Sequence, residues 1–211
     1  MTTTPELAGL LQRAVTEAAH DDGAEDRTRT RILDAALDEG ASVGVGRMTM
    51  EDVVRRSGLG RMTVYRRFAR RDDLVEALVV REVQRFLRTV AEGLAAGETQ
   101  EDRVAAAFVA SMRFVRSHPL LRRVAASEPG SVLETAAAKD RLVLRMGTDV
   151  IAAQLQLARP DDSERALRRT ADLVARLYLT FLAMPPEDPD PRDDAALDAY
   201  AREVLMPLLL V

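Results

Sequence analysis

Residues 49–68 limit what this chain can fold into more than any other segment does. The spacing predicts a helix that begins after Thr49 and ends at Gly58, because glycine accepts the left-handed conformation at a helix C-terminus. A second short helix follows at once, with Val64 and Phe68 four residues apart on its apolar face. Two short helices joined by such a tight turn are predicted to form a helix-turn-helix.

The second of these helices carries basic and hydrogen-bonding side chains at its outward positions: Arg61, Met62, Thr63, Tyr65, Arg66 and Arg67. A helix that lies in the major groove of DNA needs long cations for phosphates and guanine edges, and a phenol can contact backbone or bases. Taken alone, an arginine-rich helix is more often a solvated surface of an ordinary helical domain. The turn that precedes it favours DNA reading instead.

Charge is unevenly distributed along the chain, whose formal net charge is −4. Residues 27–71 hold eleven arginines and five acidic side chains, a net of +6, so the remaining residues sum to −10. A basic segment on an acidic body is the charge pattern expected of a protein that meets nucleic acid through one face. The pattern supports DNA binding independently of the turn.

Residues 28–80 resemble the N-terminal DNA-binding domain of the TetR family of transcriptional regulators. The motifs that carry the resemblance are Arg-Ile-Leu-Asp-Ala-Ala at 31–36, Met-Thr-Met-Glu-Asp-Val-Val at 48–54, Thr-Val-Tyr-Arg-Arg-Phe at 63–68 and Arg-Asp-Asp-Leu-Val at 71–75. The resemblance implies an all-α protein, with a three-helix DNA-binding domain at 27–71 and a helical effector-binding and dimerisation domain at 72–211. It also implies a ligand-responsive regulator, most often a repressor that a small molecule releases from its operator.

The resemblance further implies a set of contacts to double-stranded operator DNA. Bases would be contacted by Arg61, Met62 and Tyr65. The backbone would be contacted by a partly overlapping set: Thr49, Thr63, Tyr65, Arg66 and, from the start of the fourth helix, Arg71.

Three positions depart from the pattern of that family. Gly60 stands where a serine or similar residue commonly contacts phosphate, so a side-chain contact is expected to be missing there. Gly40 and Val45 stand where aromatic residues often pack beneath the first helix. A looser core is therefore expected in this domain.

The first 26 residues are predicted to form an extension with a structure of its own. Residues 5–19 carry a helix-start signature and an apolar stripe, which indicate an amphipathic helix, and a polar linker follows at 21–26. Residues 17–26 contain five acidic side chains and no lysine or arginine, which argues against contact with DNA in this part. A disordered extension is the alternative that the pattern leaves open.

Beyond residue 72 the chain is predicted to be helical throughout, without strands. Long helices are expected at 72–95, 102–117, 139–158 and 161–184, with short ones at 119–127 and 130–136. A proline-rich, acidic loop is expected at 185–194, and a last helix at 195–209.

The last two long helices have broad apolar faces, of which plain intramolecular core accounts for a part. In the TetR family such helices pair across a two-fold axis, so the resemblance implies a homodimer that presents two recognition helices to two half-sites. The family's helical body generally holds a small molecule. Candidate lining residues here are Phe86, Phe108, Met112, Phe114, His118, Leu142, Met146, Asp149, Tyr178 and Phe181.

Most of these candidates are apolar, which favours an apolar or amphipathic effector. Each of them could instead be ordinary core. His118, which precedes Pro119, is interpreted as a helix C-terminal cap rather than as an effector contact.

Several classes of protein are disfavoured by what the sequence lacks. It contains no cysteine and two histidines, with no His-x-x-x-His, Gly-x-Ser-x-Gly or phosphate-loop motif, so we expect no enzyme, no metal site and no cofactor. No apolar run approaches the length of a membrane span and no secretory signal opens the chain, which predicts a cytoplasmic protein. An architectural DNA-binding protein without ligand control is the remaining rival, and the large helical body argues against it.

Overall fold

The computed structural model describes residues 25–127, 142–184 and 186–209, and all regular secondary structure in these ranges is helical, which confirms the predicted all-α class. The helices are α1 (Glu25–Val43), α2 (Met50–Ser57), α3 (Arg61–Arg67), α4 (Arg71–Ala96), α5 (Gln100–Ser117), α6 (Pro119–Ser127), α7 (Leu142–Ala158), α8 (Glu164–Ala183), α9 (Asp194–Tyr200), a π-helical turn (Ala201–Leu205) and α10 (Met206–Leu209). The predicted helices at 5–19 and 130–136 lie outside the described residues. So does the predicted linker as far as residue 24, and its last two residues already belong to α1.

The chain divides into two compact units, and the division falls between Thr89 and Val90, inside α4. The predicted domain boundary, between residues 71 and 72, lies at the start of the same helix. Each unit has a buried core of its own.

The core of the first unit is aliphatic and is supplied by all four of its described helices. The larger side chains that are fully or almost fully buried are Ile32, Leu33, Met48, Val53, Val64, Leu74 and Leu78. Burial of each such side chain contributes about 1.5–3 kcal/mol relative to exposure. Of the positions expected to loosen this core, Gly40 is buried and Val45 is half-buried, and the Gly40 carbonyl accepts a hydrogen bond from the N–H of Gly44 at 2.9 Å.

In the second unit α7 packs along α8, and α5 packs against α9 and the π-helical turn. Residues of α5, α8, α9 and the π-helical turn together form one buried cluster: Ala105, Phe108, Val109, Met112, Phe181, Leu197, Ala201 and Leu205. Small residues bring α4 close to α5, since a Cβ added at Gly93 would lie 2.6 Å from the Cα of Ala107.

Local sequence accounts for where four of the described helices begin. Thr49 and Thr99 each form a capping box with the aspartate three residues later, and Ser163 and Asp193 cap α8 and α9. The predicted single helix at 195–209 is interrupted by the π-helical turn. Pro207, two residues past that turn, has no N–H to donate within a regular α-helical ladder.

Candidate nucleic-acid interface

The turn between α2 and α3 has the geometry that the sequence predicts. Gly58 has a φ of 62° and ends α2 in the left-handed conformation, and Thr49 is the N-cap of α2. Gly60 is extended, and its carbonyl accepts hydrogen bonds from the N–H groups of Thr63 at 2.9 Å and Val64 at 3.2 Å. No side-chain oxygen caps α3, in keeping with the glycine at this position.

Long-range contacts hold the turn against α1. Arg31 Nε donates to the carbonyl oxygen of Ser57 at 2.7 Å, and a Cβ at Gly58 would lie 3.0 Å from Arg31 Nη2. Arg56 Nε lies 2.6 Å from Glu39 Oε2, and the Glu39 side chain is only 6% exposed. Two arginines of the basic segment therefore fix the fold of the helix-turn-helix.

Burial of one face of α3 decides which of its side chains point to solvent. Val64 is fully buried and Phe68 is 6% exposed, so the opposite face is open. Met62 is 82% exposed, and the Arg61 side chain is 68% exposed. Arg66 and Arg67 are exposed as well, so the predicted basic surface forms on α3.

Three of the predicted backbone contacts, Thr49, Tyr65 and Arg71, have partners within the protein. The Thr49 hydroxyl donates to Asp52 Oδ2 and accepts from the Asp52 N–H at 3.2 Å. Arg71 Nε donates to the carbonyl of Met48 at 2.9 Å, and its Nη2 donates to the carbonyl of Val45. Arg71 thereby ties the loop before α2 to the start of α4.

Glu51 joins α2 to α3, a contact that the sequence pattern does not predict. Glu51 Oε1 accepts a hydrogen bond from the Tyr65 hydroxyl at 2.8 Å and lies 3.3 Å from Arg61 Nη2. The Arg61 guanidinium lies over the Tyr65 ring, 5.0 Å from its centroid. The Tyr65 hydrogen bond lowers the pKa of Glu51 and raises the pKa of Tyr65, so Glu51 is a carboxylate at neutral pH.

Four of the predicted effector residues lie together in the second unit: Phe108, Met112, Tyr178 and Phe181. The ring centroid of Phe108 lies 5.9 Å from those of Tyr178, Phe181 and Tyr200. The Tyr178 hydroxyl forms a short hydrogen bond with the buried Ser111 hydroxyl, and burial raises the pKa of Tyr178 to about 12. Tyr200 of α9 completes this aromatic cluster.

The other predicted effector residues are dispersed. Phe114 and His118 pack together at the end of α5, with ring centroids 5.2 Å apart, and His118 is the C-cap of α5 as predicted. Asp149 pairs with Arg168, with Oδ1 2.8 Å from Nη2. Phe86 belongs to the first compact unit. The side chains of Leu142 and Met146 are outside the described residues.

Within the described ranges, no three His, Asp or Glu side chains are grouped so that they could hold a metal ion. None of the helices in those ranges is long and apolar enough to span a bilayer. A surface groove on the first turns of α8 is lined by charged side chains and not by the predicted effector residues: Glu164, Arg165, Arg168, Arg169 and Asp172.

Comparison with known proteins agrees with this geometry. Residues 32–78 match the model of the bacterial regulatory proteins of the tetR family. An uncharacterized HTH-type transcriptional regulator of Mycobacterium tuberculosis is 28% identical over 184 residues, which are 85% of this chain and 84% of the relative.

Solved structures share the fold. The TetR family repressor AlkX from Dietzia sp. strain DQ12-45-1b, implicated in biodegradation of n-alkanes, is 22% identical, with a TM-score of 0.58 over 86% of this chain and 94% of its own. A structure from Mesorhizobium loti MAFF303099, assigned to the TetR family, is 16% identical. Its TM-score is 0.61, and the match covers 89% of this chain and 98% of that one. With the turn, the exposed basic helix and the family match in agreement, residues 32–78 form a DNA-binding domain of the TetR family of transcriptional regulators, a family whose members bind operator DNA and dimerise.

Proposed function

We propose that the protein is a cytoplasmic, homodimeric, ligand-responsive regulator that represses transcription until a small apolar or amphipathic effector releases it from its operator. The observation that carries the proposal is the exposed basic face of α3, which is held in place by the buried Val64 and Phe68. A helix presented in this way can enter the major groove of DNA.

We propose that Arg61, Met62 and Tyr65 contact bases. The Arg61 guanidinium can bind a guanine edge, and the exposed Met62 side chain suits an apolar contact with a thymine methyl group. Thr49, Thr63 and Arg66 are proposed to approach phosphates. Arg71 is proposed to lie near the DNA backbone, where its bonds to two loop carbonyls would fix its position.

The proposed dimer forms through α8 and the last helices. Leu173 on α8 is 49% exposed and Val204 in the π-helical turn is 40% exposed, although other apolar residues of both segments are buried. Met184, directly after α8, is 60% exposed. These side chains supply an apolar surface that a second copy of the chain can cover, which would leave Phe181 and Leu197 to the core of one subunit.

The proposed effector site is the aromatic cluster around Phe108. The cluster is apolar, and the bonded hydroxyls of Ser111 and Tyr178 supply one polar group within it. Because its wall includes α8 and the last helices, an effector that repacks it would also shift the proposed dimer helices. Such an effector releases DNA only if it binds the DNA-free conformation more tightly, and operator DNA then weakens effector binding by the same factor.

The DNA contacts can be tested with an operator selected from a random duplex library. We expect Arg61→Ala and Tyr65→Ala to weaken operator binding by about 1–3 kcal/mol in a fluorescence anisotropy assay at fixed salt, with the dimer intact. Arg165→Ala, which removes an exposed arginine from α8, is the matched control and should leave the affinity unchanged. Wild-type affinity in both α3 variants would contradict the contact assignment.

The effector proposal can be tested with a panel of fatty acids and aromatic acids. A compound that raises the melting temperature should also lower operator affinity, because linkage is reciprocal. Tyr178→Phe keeps the ring but removes the hydroxyl, so it should change the preference among polar members of the panel. Compounds that stabilise the protein and leave operator affinity unchanged would contradict ligand control.

A further inference from the structure

Glu51 contacts the two side chains of α3 that are proposed to carry most of the base reading. Its Oε1 accepts from Tyr65 at 2.8 Å and lies 3.3 Å from Arg61 Nη2, and the Arg61 guanidinium lies over the Tyr65 ring. We call these three side chains the Glu51 cluster. Each member contacts both of the others, so the rotamers of Arg61 and Tyr65 are coupled.

The adjacent carboxylate has a different role. Asp52 accepts from the N–H of Thr49 at 3.3 Å and pairs with Arg55 at 2.6 Å, so it acts within α2 and its N-terminal cap. Glu51 instead reaches across the turn to residues ten and fourteen positions further along the chain. The sequence places two acids side by side, and the fold assigns only Glu51 to the recognition helix.

Stability does not explain the Glu51 cluster well. The Glu51 and Arg61 side chains are 58% and 68% exposed, and an ion pair so open to water adds little to folding. A carboxylate next to a DNA-binding surface also repels phosphates. The position of Glu51 is better explained by its effect on the orientation of the Arg61 and Tyr65 side chains.

A held arginine reads DNA better than a free one. The planar guanidinium has five N–H donors, so a bond to Glu51 leaves donors for a guanine edge. Because Arg61 is already confined by Glu51 and by the Tyr65 ring, less rotamer entropy is lost when it binds a base. Contacts to phosphate gain less from this, since they tolerate many side-chain geometries.

We infer that Glu51 is a positioning residue for operator recognition, which orients Arg61 and Tyr65 toward bases and disfavours their use on phosphates. The inference rests on the proposed base contacts of α3. Glu51 thereby has a role in sequence specificity. Loss of its carboxylate must then change the affinities for operator and random DNA in opposite directions or to clearly different extents.

The test measures binding of full-length Glu51→Gln to the selected operator and to a random-sequence duplex, across a salt series. We expect operator affinity to fall about 1.5- to 5-fold, the range that coupling of exposed ion pairs spans. Affinity for the random duplex should stay level or rise, with a salt slope steeper by up to about 0.9 as one more cation becomes free for phosphate. Glu76→Gln, which removes the same charge from an exposed position on α4, should leave the ratio of the two affinities unchanged.

A double-mutant cycle shows whether Glu51 acts through Arg61. In an Arg61→Ala background, Glu51→Gln should cause much less loss of operator affinity. A Glu51→Gln variant that gains equal affinity for operator and random duplex would show a simple charge effect and overturn the inference. If Arg61→Ala itself binds the operator like wild type, the proposed contacts of α3 fail first, and the inference fails with them.

Discussion

Arg202 Nη2 lies 2.8 Å from Asp102 Oδ1, a contact between residues one hundred positions apart that ties the last helical segment to the start of α5. Arg202 also pairs with Asp198 at 2.8 Å, and Asp102 accepts from the hydroxyl of Thr99 at 2.6 Å. The contact therefore links the capping box of α5 to the segment that is proposed to dimerise.

The first prediction concerns acid stability. The Thr99 hydroxyl and then Arg202 lower the pKa of Asp102 to about 2. Because the folded-state pKa lies below the unfolded value, this stabilisation is present above about pH 4 and is lost as pH falls toward 2. Asp102→Asn should lower the melting temperature at pH 7 and make stability depend less on pH between about 4 and 2. Thermal unfolding monitored by circular dichroism across that range checks this, and an Asp102→Asn variant with a wild-type pH profile would contradict it.

The second prediction compares two helical glycines. A Cβ at Gly93 would lie 2.6 Å from the Cα and 2.9 Å from the N of Ala107, and both are backbone atoms that cannot rotate away. We expect Gly93→Ala to destabilise the protein by about 1–3 kcal/mol. Gly147→Ala is the matched control, since its Cβ would meet Ala175 Cβ at an ordinary 3.5 Å. It should stabilise the protein by up to about 1 kcal/mol through helix propensity. Urea unfolding measures the change in the free energy of unfolding for both variants. Changes of the same sign would contradict the close approach of α4 and α5.

The third prediction concerns the ion pair between Arg56 and Glu39. The Glu39 side chain is 6% exposed and that of Arg56 is 40% exposed. Removal of Arg56 and removal of Glu39 should therefore lower the free energy of unfolding by different amounts. Arg56→Ala leaves a buried carboxylate without its partner and should cost about 3 kcal/mol. Glu39→Ala leaves an arginine that can reach water and should cost about 1 kcal/mol. Chemical denaturation measures the loss of folding stability in the two variants. A larger loss for Glu39→Ala would show that the difference in burial does not control the cost of breaking the ion pair.

The fourth prediction concerns the dimer. Leu173→Glu places a charge on an exposed apolar position of α8, which should weaken association by at least about tenfold because an unpaired charge would be buried in the interface. Ala153→Glu adds the same charge at an exposed position of α7 and should leave association unchanged. Sedimentation velocity over a concentration series measures both. A Leu173→Glu protein that remains dimeric at the concentrations where wild type does would place the interface elsewhere.

Local sequence was sufficient for the described helices before α9 and for the turn between α2 and α3. Gly58 ends α2, Thr49 caps it, and the spacing of Val64 and Phe68 orients α3, because these signals act within one or two helical turns. The same holds for His118, whose place before Pro119 predicts the end of α5. Interruption of the last helix by a π-helical turn was not predicted, although Pro207 is a local signal for it.

The tertiary structure decided what the individual charged and aromatic side chains do. Arg31, Arg56 and Arg71 count as basic residues in the sequence, yet in the fold they bind carbonyls or a buried carboxylate of their own unit. Glu51 lies in the first turn of α2, yet in the fold it holds Arg61 and Tyr65 of α3.

Tyr178 illustrates the same division in the second unit, where an apolar stripe predicts burial but cannot identify Ser111 as its partner 67 residues away. Helix ends follow from chemistry within a few residues. The partners of long side chains depend on which distant segments the packed core brings within about 3 Å. The sequence by itself therefore determined the helices and the outward face of α3. The packing of those helices decided which arginines of the basic segment bind groups within the protein.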